Sequence, residues 1–206
     1  RQRQMCIRDS PQMASASVMG VYSQFSSVFT VYEEHFDFGY PAIMMSFDSQ
    51  GVDYISKNSG YNWFFNYNEL DDNSNTGERS NFLWHLQYKQ IGTVNTLIGS
   101  IPADTEVEAL RQSLAQARAI RAFAYLNMAP YFQFNYATSK DKPCVPIVSE
   151  TSDPANNPRA TVEKVYEFIM ADLDYAVEAL DGYVRPSKVN VDQQVAYGLR
   201  ARANLY

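Results

Sequence analysis

The sequence predicts an all-α fold, built from tetratricopeptide-like helical hairpins with long irregular loops between them. Three observations predict it. Residues 105–128 form an alanine-rich run with Val107, Leu110, Leu114, Ile120, Phe123 and Leu126 at helical intervals. Residues 161–180 carry the cleanest amphipathic stripe, through Val162, Val165, Tyr166, Ile169, Leu173, Ala176, Val177 and Leu180. Finally, Arg121-Ala122-Phe123-Ala124-Tyr125-Leu126 is echoed about 80 residues later by Arg200-Ala201-Arg202-Ala203-Asn204-Leu205. Each copy closes the second helix of a pair, so pairs are expected at about 80–128 and 161–206. A single pair cannot bury its own apolar face, and stacking supplies the core.

Taken in order, the first ten residues look unlike the rest of the chain and are expected to be an artefact or a disordered start. Residues 11–206 are expected to be the N-terminal part of a longer domain, because the chain stops within a helical pattern at Tyr206. Ser10 and Pro11 read as an N-cap followed by proline at the first helical position, opening a helix to about Val31. Pro41 to Asp48 reads as a short helix. Gly51 to Arg79 is the least regular stretch, rich in Asn, Asp, Gly and Ser, which favour turns.

From Ser80 to Ile101 the apolar residues return to helix spacing. The alanine-rich helix then starts behind Asp104 as N-cap and is expected to stop at Pro130. Five of the nine prolines fall between Pro130 and Pro158, an extended excursion in which CVPIV, residues 144–148, reads as a strand-like crossing. Thr161 caps the next helix and Gly182 follows its end; Asp192 caps the last one.

Composition narrows the function. The formal net charge of −6, with no Lys/Arg-rich run, argues against binding a phosphate backbone. No apolar stretch reaches the 18 residues of a membrane-spanning helix. Cys6 and Cys144 make neither a disulfide framework nor a zinc set. His35 and His85 lack metal-ligand neighbours, and no nucleophile elbow, HExxH or phosphate loop is present, so neither catalysis nor a cofactor is expected. Arg118, Arg121, Arg200 and Arg202 read as structural, and Trp84 and Tyr88, four apart, as a packed pair.

The irregular stretch carries the functional signal. Sugars offer C–H faces that stack on aromatic rings and hydroxyls that need planar polar partners. Lys57, Asn62, Trp63, Tyr67, Asn73 and Arg79 supply both kinds of group and are the candidate glycan contacts. A structural reading competes, in which Trp63, Phe64 and Phe65 pin a long loop onto the helices. Long aromatic loops inside compact domains are more often functional than connecting.

The ordered series ALRQSLAQARAIRAFAYLNMAPYF, CVPIVSE, PRATVEKVYEFIMADLDYAVEAL and VDQQVAYGLRARANLY, preceded by SFDSQGVD and the aromatic loop, resembles the SusD/RagB-like outer-membrane glycan-binding lipoproteins of Bacteroidetes. The resemblance covers nearly all of residues 11–206. It implies tetratricopeptide-like helix pairs whose long loops form a glycan surface, lipid anchoring outside the outer membrane, and delivery of oligo- or polysaccharide to a SusC-like TonB-dependent transporter without cleavage. No signal peptide or lipid-bearing cysteine is expected within residues 1–206, where the family pattern would have them; Cys6 is not assigned that role. The family's C-terminal half is expected to lie beyond these residues, so a complete binding site is not expected within them. The alternative function is a helical-repeat scaffold for a protein or peptide, with the aromatics as hot spots; a glycoside hydrolase fragment is a third class.

Overall fold

The computed structural model describes residues 10–53, 77–153 and 155–206. They hold seven helices and one two-stranded sheet: α1 Pro11–Gln24, α2 Tyr40–Asp48, α3 Glu78–Ser100, α4 Glu108–Phe132, α5 Tyr136–Ser139, β1 Pro143–Pro146, β2 Arg159–Thr161, α6 Val162–Ala179 and α7 Gln193–Ala203. The all-α expectation holds. The chain separates into two compact units, Ser23–Lys89 and the remainder, so α3 belongs to both.

In the larger unit α1 starts as predicted. Ser10 Oγ accepts the Met13 N–H at 3.3 Å, beside Pro11. Ala14, Val18, Val21 and Tyr22 make its buried stripe. The helix ends at Gln24 and not near Val31. Local bonds compete with helix continuation there: Ser27 Oγ donates to Ser23 O, Tyr40 N–H takes Phe25 O, and Phe29 turns to φ 55°.

The alanine-rich helix α4 also differs at both ends from its prediction. Its N-cap is Val107, without a side-chain bond, because residues 102–107 fold into their own turn with Thr105 N–H on Pro102 O. At the other end α4 runs through Pro130 to Phe132. A proline so near the end removes one hydrogen bond of the last turn, and Gln133 N–H closes the helix on Ala129 O at 3.1 Å. Between these ends Ala115, Ala117, Ala119, Ala122 and Ala124 are fully buried. Their small side chains let neighbouring elements pack against several faces at once.

The proline-rich excursion contains the expected crossing. β1 pairs antiparallel with β2, with Pro143 opposite Thr161 and Pro146 opposite Arg159 across an irregular register. Cys144 and Val145 are buried, and β1 packs on α4 and α6. Thr161 Oγ1 then caps α6 by accepting Lys164 N–H at 3.3 Å, and Gly182 turns with φ 70° just beyond its end. Asp192 Oδ1 caps α7 by accepting Val195 N–H at 2.9 Å. α4 packs on α6, and α6 on α7. No helix of the described residues is long and apolar enough to cross a membrane.

In the smaller unit α2 runs from Tyr40, with Pro41 in its first turn, as the sequence predicts from Pro41. It ends where Ser49 Oγ donates to Met45 O at 2.7 Å.

Candidate functional site

Lys57, Asn62, Trp63, Tyr67 and Asn73 lie outside the described residues. Arg79 does not, and its setting defines the two stems of the predicted glycan loop. The chain leaves α2 through tight turns, with Gln50 N–H on Phe47 O and Gly51 N–H on Asp48 O, and re-enters helix at Glu78. Arg79 ties the two stems together. It is 3% exposed; its Nε donates to Ser46 Oγ at 2.8 Å, and its guanidinium lies 4.7 Å from the Phe47 ring centre. Ser46 in turn donates to Ile43 O at 2.7 Å, so its hydroxyl is used in both directions.

The segment between α1 and α2 is braced in the same way. The buried Asp37 accepts Val31 and Tyr32 N–H groups on one carboxylate oxygen, and its own carbonyl accepts Phe29 N–H at 2.8 Å. Lys89 Nζ donates to Thr30 O. Gly39 sits at φ 76° against Phe25, whose ring meets Tyr40 edge-on at 6.2 Å. Tyr32, Phe36 and Phe82 cluster within 6.4 Å of one another, and His85 stands edge-on to Tyr32 at 6.1 Å. Trp84 and Tyr88 pack together as the sequence suggests, ring centres 4.8 Å apart and tilted by 48°.

The larger unit has a different polar centre. Arg121 donates through Nε and Nη2 to both oxygens of Asp172, at 2.7 and 2.8 Å, and through Nη1 to Asn95 and Glu150, both at 2.7 Å. Phe168 lies 4.7 Å from the guanidinium carbon. Burial alone would discharge Arg121, but the Asp172 and Glu150 bonds hold its pKa above the ordinary arginine value. Burial likewise favours a neutral Glu150, yet a backbone bond and Arg121 hold its carboxyl below the usual range. Asn95 Nδ2 donates to Val148 O at 2.9 Å, and Val148 N–H donates to Tyr125 Oη at 2.7 Å, so the excursion after β1 is pinned to α3 and α4. Burial pushes the Tyr125 phenol up to about 12. A second network joins Tyr22 to Gln116 at 3.0 Å and to the Val191 N–H at 2.8 Å.

These groups neutralise one another within the protein, which suits bracing and not proton transfer. The expectation that Arg121 is structural holds. Sequence reasoning missed its partners. Asp172 carried a readable signal, since it falls three residues after Ile169 on the buried stripe of α6, where a charge needs a partner. Glu150 and Asn95 carried none. A cavity of about 340 Å3 lies over α6, lined by Tyr136, Glu163, Tyr166, Met170, Asn204 and Tyr206 among others. Among the described residues no group of three His, Cys, Asp or Glu side chains could hold a metal ion.

A family model described as "Starch-binding associating with outer membrane", of SusD-like type, matches residues 20–205. Among solved structures, a SusD-like carbohydrate-binding protein from Bacteroides vulgatus ATCC 8482 superposes with a TM-score of 0.83 at 26% identity, covering 96% of this chain and 42% of that one. A SusD superfamily protein from Bacteroides fragilis gives 0.78 at 24% identity, covering 95% of this chain and 46% of that one. A laminarin-binding SusD-like protein gives 0.69 at 20% identity, covering 96% of this chain and 40% of that one. The chain thus spans less than half the length of these structures. A comparison with curated protein sequences finds no match.

Proposed function

The chain belongs to the SusD-like family, and on that premise we propose that it serves in non-catalytic capture of oligo- or polysaccharide at the outer membrane, for delivery to a SusC-like TonB-dependent transporter. The observation that carries this reading is the family match across residues 20–205. The helix pairs at about 80–128 and 161–206 act as scaffold. The glycan contacts are Lys57, Asn62, Trp63, Tyr67 and Asn73. Arg79, buried against Ser46 and Phe47, clamps the stems of that loop. The protein is held at the cell surface by a lipid anchor.

The reading is supported by the chemistry of the loop, where rings that can stack on sugar faces alternate with amide and ammonium groups that can bond hydroxyls. Affinity electrophoresis of the protein through gels containing soluble starch, laminarin or other glycans tests it. Retardation by at least one glycan, weakened in Trp63→Ala, is expected. No retardation in any gel, together with capture of a non-transporter protein partner, would favour the scaffold alternative.

A further inference from the structure

The cavity of about 340 Å3 in the larger unit is walled by three rings and two acids. Tyr166 of α6 meets Tyr136 of α5 edge-on, ring centres 5.7 Å apart at 87°. Tyr206, beyond α7, lies 6.3 Å from Tyr166 and is tilted by 44°. Glu163, Glu167 and Met170 recur at helical spacing along α6 on the same wall. The volume is of the size that holds a small ligand. The frame is fixed by local bonds. Asn135 Oδ1 accepts Thr138 N–H at 3.1 Å and Ser139 Oγ donates to Phe134 O at 2.7 Å, which holds the single turn that carries Tyr136. Glu163 N–H donates to Lys140 O at 3.0 Å and fastens that turn to the start of α6.

Folding does not account for this lining. Tyr166 is 9% exposed, yet among the described residues its hydroxyl has no hydrogen-bond partner. A buried phenol usually finds one. Glu163 and Glu167 stand four apart on one helix, where like charges repel. Neither side chain makes an ion pair or a hydrogen bond among the described residues. Among those residues no lysine or arginine lines the cavity; Arg202 acts on the Tyr166 phenol from outside the lining. The cavity therefore combines ring faces and negative charge with no cation of its own. An anion would be repelled, and a neutral ligand would leave both carboxylates unanswered. An organic cation answers every part of the wall. Tyrosine faces attract it within about 6 Å, the more so as it leaves water. The Met170 thioether suits its methyl or methylene groups, and the carboxylates balance its charge.

We infer that this cavity binds an alkylammonium cation, with Tyr136, Tyr166 and Tyr206 supplying ring faces and Glu163 and Glu167 the countercharge. The site goes beyond glycan capture and does not rest on it, since its walls come from α5, α6 and the end of α7, away in sequence from the 57–79 stretch. The same chemistry belongs to a free small amine and to a lysine side chain.

Isothermal titration calorimetry at constant ionic strength tests it with three probes: tetramethylammonium chloride, Nα-acetyl-lysine amide, and tert-butanol as the neutral counterpart of similar shape. At least one cation is expected to bind saturably and tert-butanol is not. Tighter binding of tetramethylammonium points to a free small cation as the ligand, and tighter binding of the lysine amide to a side chain. Glu163→Gln/Glu167→Gln and Tyr136→Leu are each expected to bind the better cation about tenfold more weakly. Glu167 is exposed, so Glu167→Gln alone keeps the fold and carries the charge test if the other variants melt well below the parent. No saturable binding of either cation overturns the inference. Equal binding of tert-butanol overturns it too, because the cavity would then select shape and not charge. Parental affinity in the folded variants overturns it as well, by placing the cation elsewhere on the protein.

Discussion

Arg121 and Asp172 meet face to face, two nitrogens on two oxygens at 2.7 and 2.8 Å, with each side chain almost fully buried. They join α4 to α6, the helices at the centre of the larger unit. Removing one partner strands the other charge in a dry interior. Asp172→Asn is therefore expected to lower unfolding stability by about 3–5 kcal/mol, read from the midpoint of a urea titration. The double variant Arg121→Met/Asp172→Leu should lose far less, because no charge is left unpaired. Equal losses for the two variants would mean that the pairing is not what holds these helices.

Glu150 gives the same network a pH dependence. Its folded pKa is depressed, so its stabilisation is complete above the ordinary glutamate value of about 4.3 and is lost as pH falls through the lower folded value. Glu150→Gln removes the titrating group. The melting temperatures of the parent and Glu150→Gln should differ at pH 7 and converge as the pH drops below about 4. A gap that stays constant down to about pH 3 would remove the carboxylate from this role.

Tyr125 fixes the excursion through one short bond, from Val148 N–H to its hydroxyl oxygen at 2.7 Å. The residue is fully buried, so Tyr125→Phe leaves a backbone donor without its acceptor. The expected cost is about 1–3 kcal/mol. Hydrogen exchange localises it: the Val148 amide should exchange faster in the variant, while amides in the middle of α6 keep pace with global unfolding.

The helices were legible because their signals are local. Thr161, Asp192 and Ser10 cap where their sequence context says they should. The apolar stripe of α6 is periodic enough to give its buried face outright. Legibility stopped where a tertiary or competing local bond overrode propensity. α1 ends early because Phe25 O is claimed by Tyr40, fifteen residues away. Asp104 loses the start of α4 to a turn that residues 102–107 make among themselves. The partners of Arg121 come from three distant segments, and only Asp172, a charge on an apolar stripe, announced itself. At the candidate site the sequence supplied residue types. The clamp of Arg79 on Ser46 and Phe47 required the fold, because nothing in residues 46–79 says that the two stems meet.

Cys144 reports on the β1 region. It is fully buried, and burial pushes its thiol up to about 11. Thiolate, the reactive form, is then scarce at neutral pH and out of reach of reagent. In a Cys6→Ser background, Cys144 should resist Ellman's reagent at about pH 8 in the folded protein and react within minutes in denaturing urea. Fast labelling without denaturant would show that β1 opens locally, well short of global unfolding.

Two glycines separate backbone strain from ordinary helix propensity. Gly39 adopts φ 76°, and a β-carbon there would lie 2.5 Å from Phe25 O. That atom is backbone, fixed by its bond to Tyr40 N–H, so it cannot step aside. Gly39→Ala is expected to cost about 2 kcal/mol or more, the sum of a left-handed penalty and a forced shift of the loop closure. Gly92 lies within α3, is exposed, and an added methyl group there would meet nothing within 4 Å. Gly92→Ala should raise stability by about 0.5–1 kcal/mol through helix propensity alone. Chemical denaturation of the two variants side by side makes the comparison. If both shift in the same direction, the closure at Gly39 is not the rigid point that holds the 25–40 loop in place.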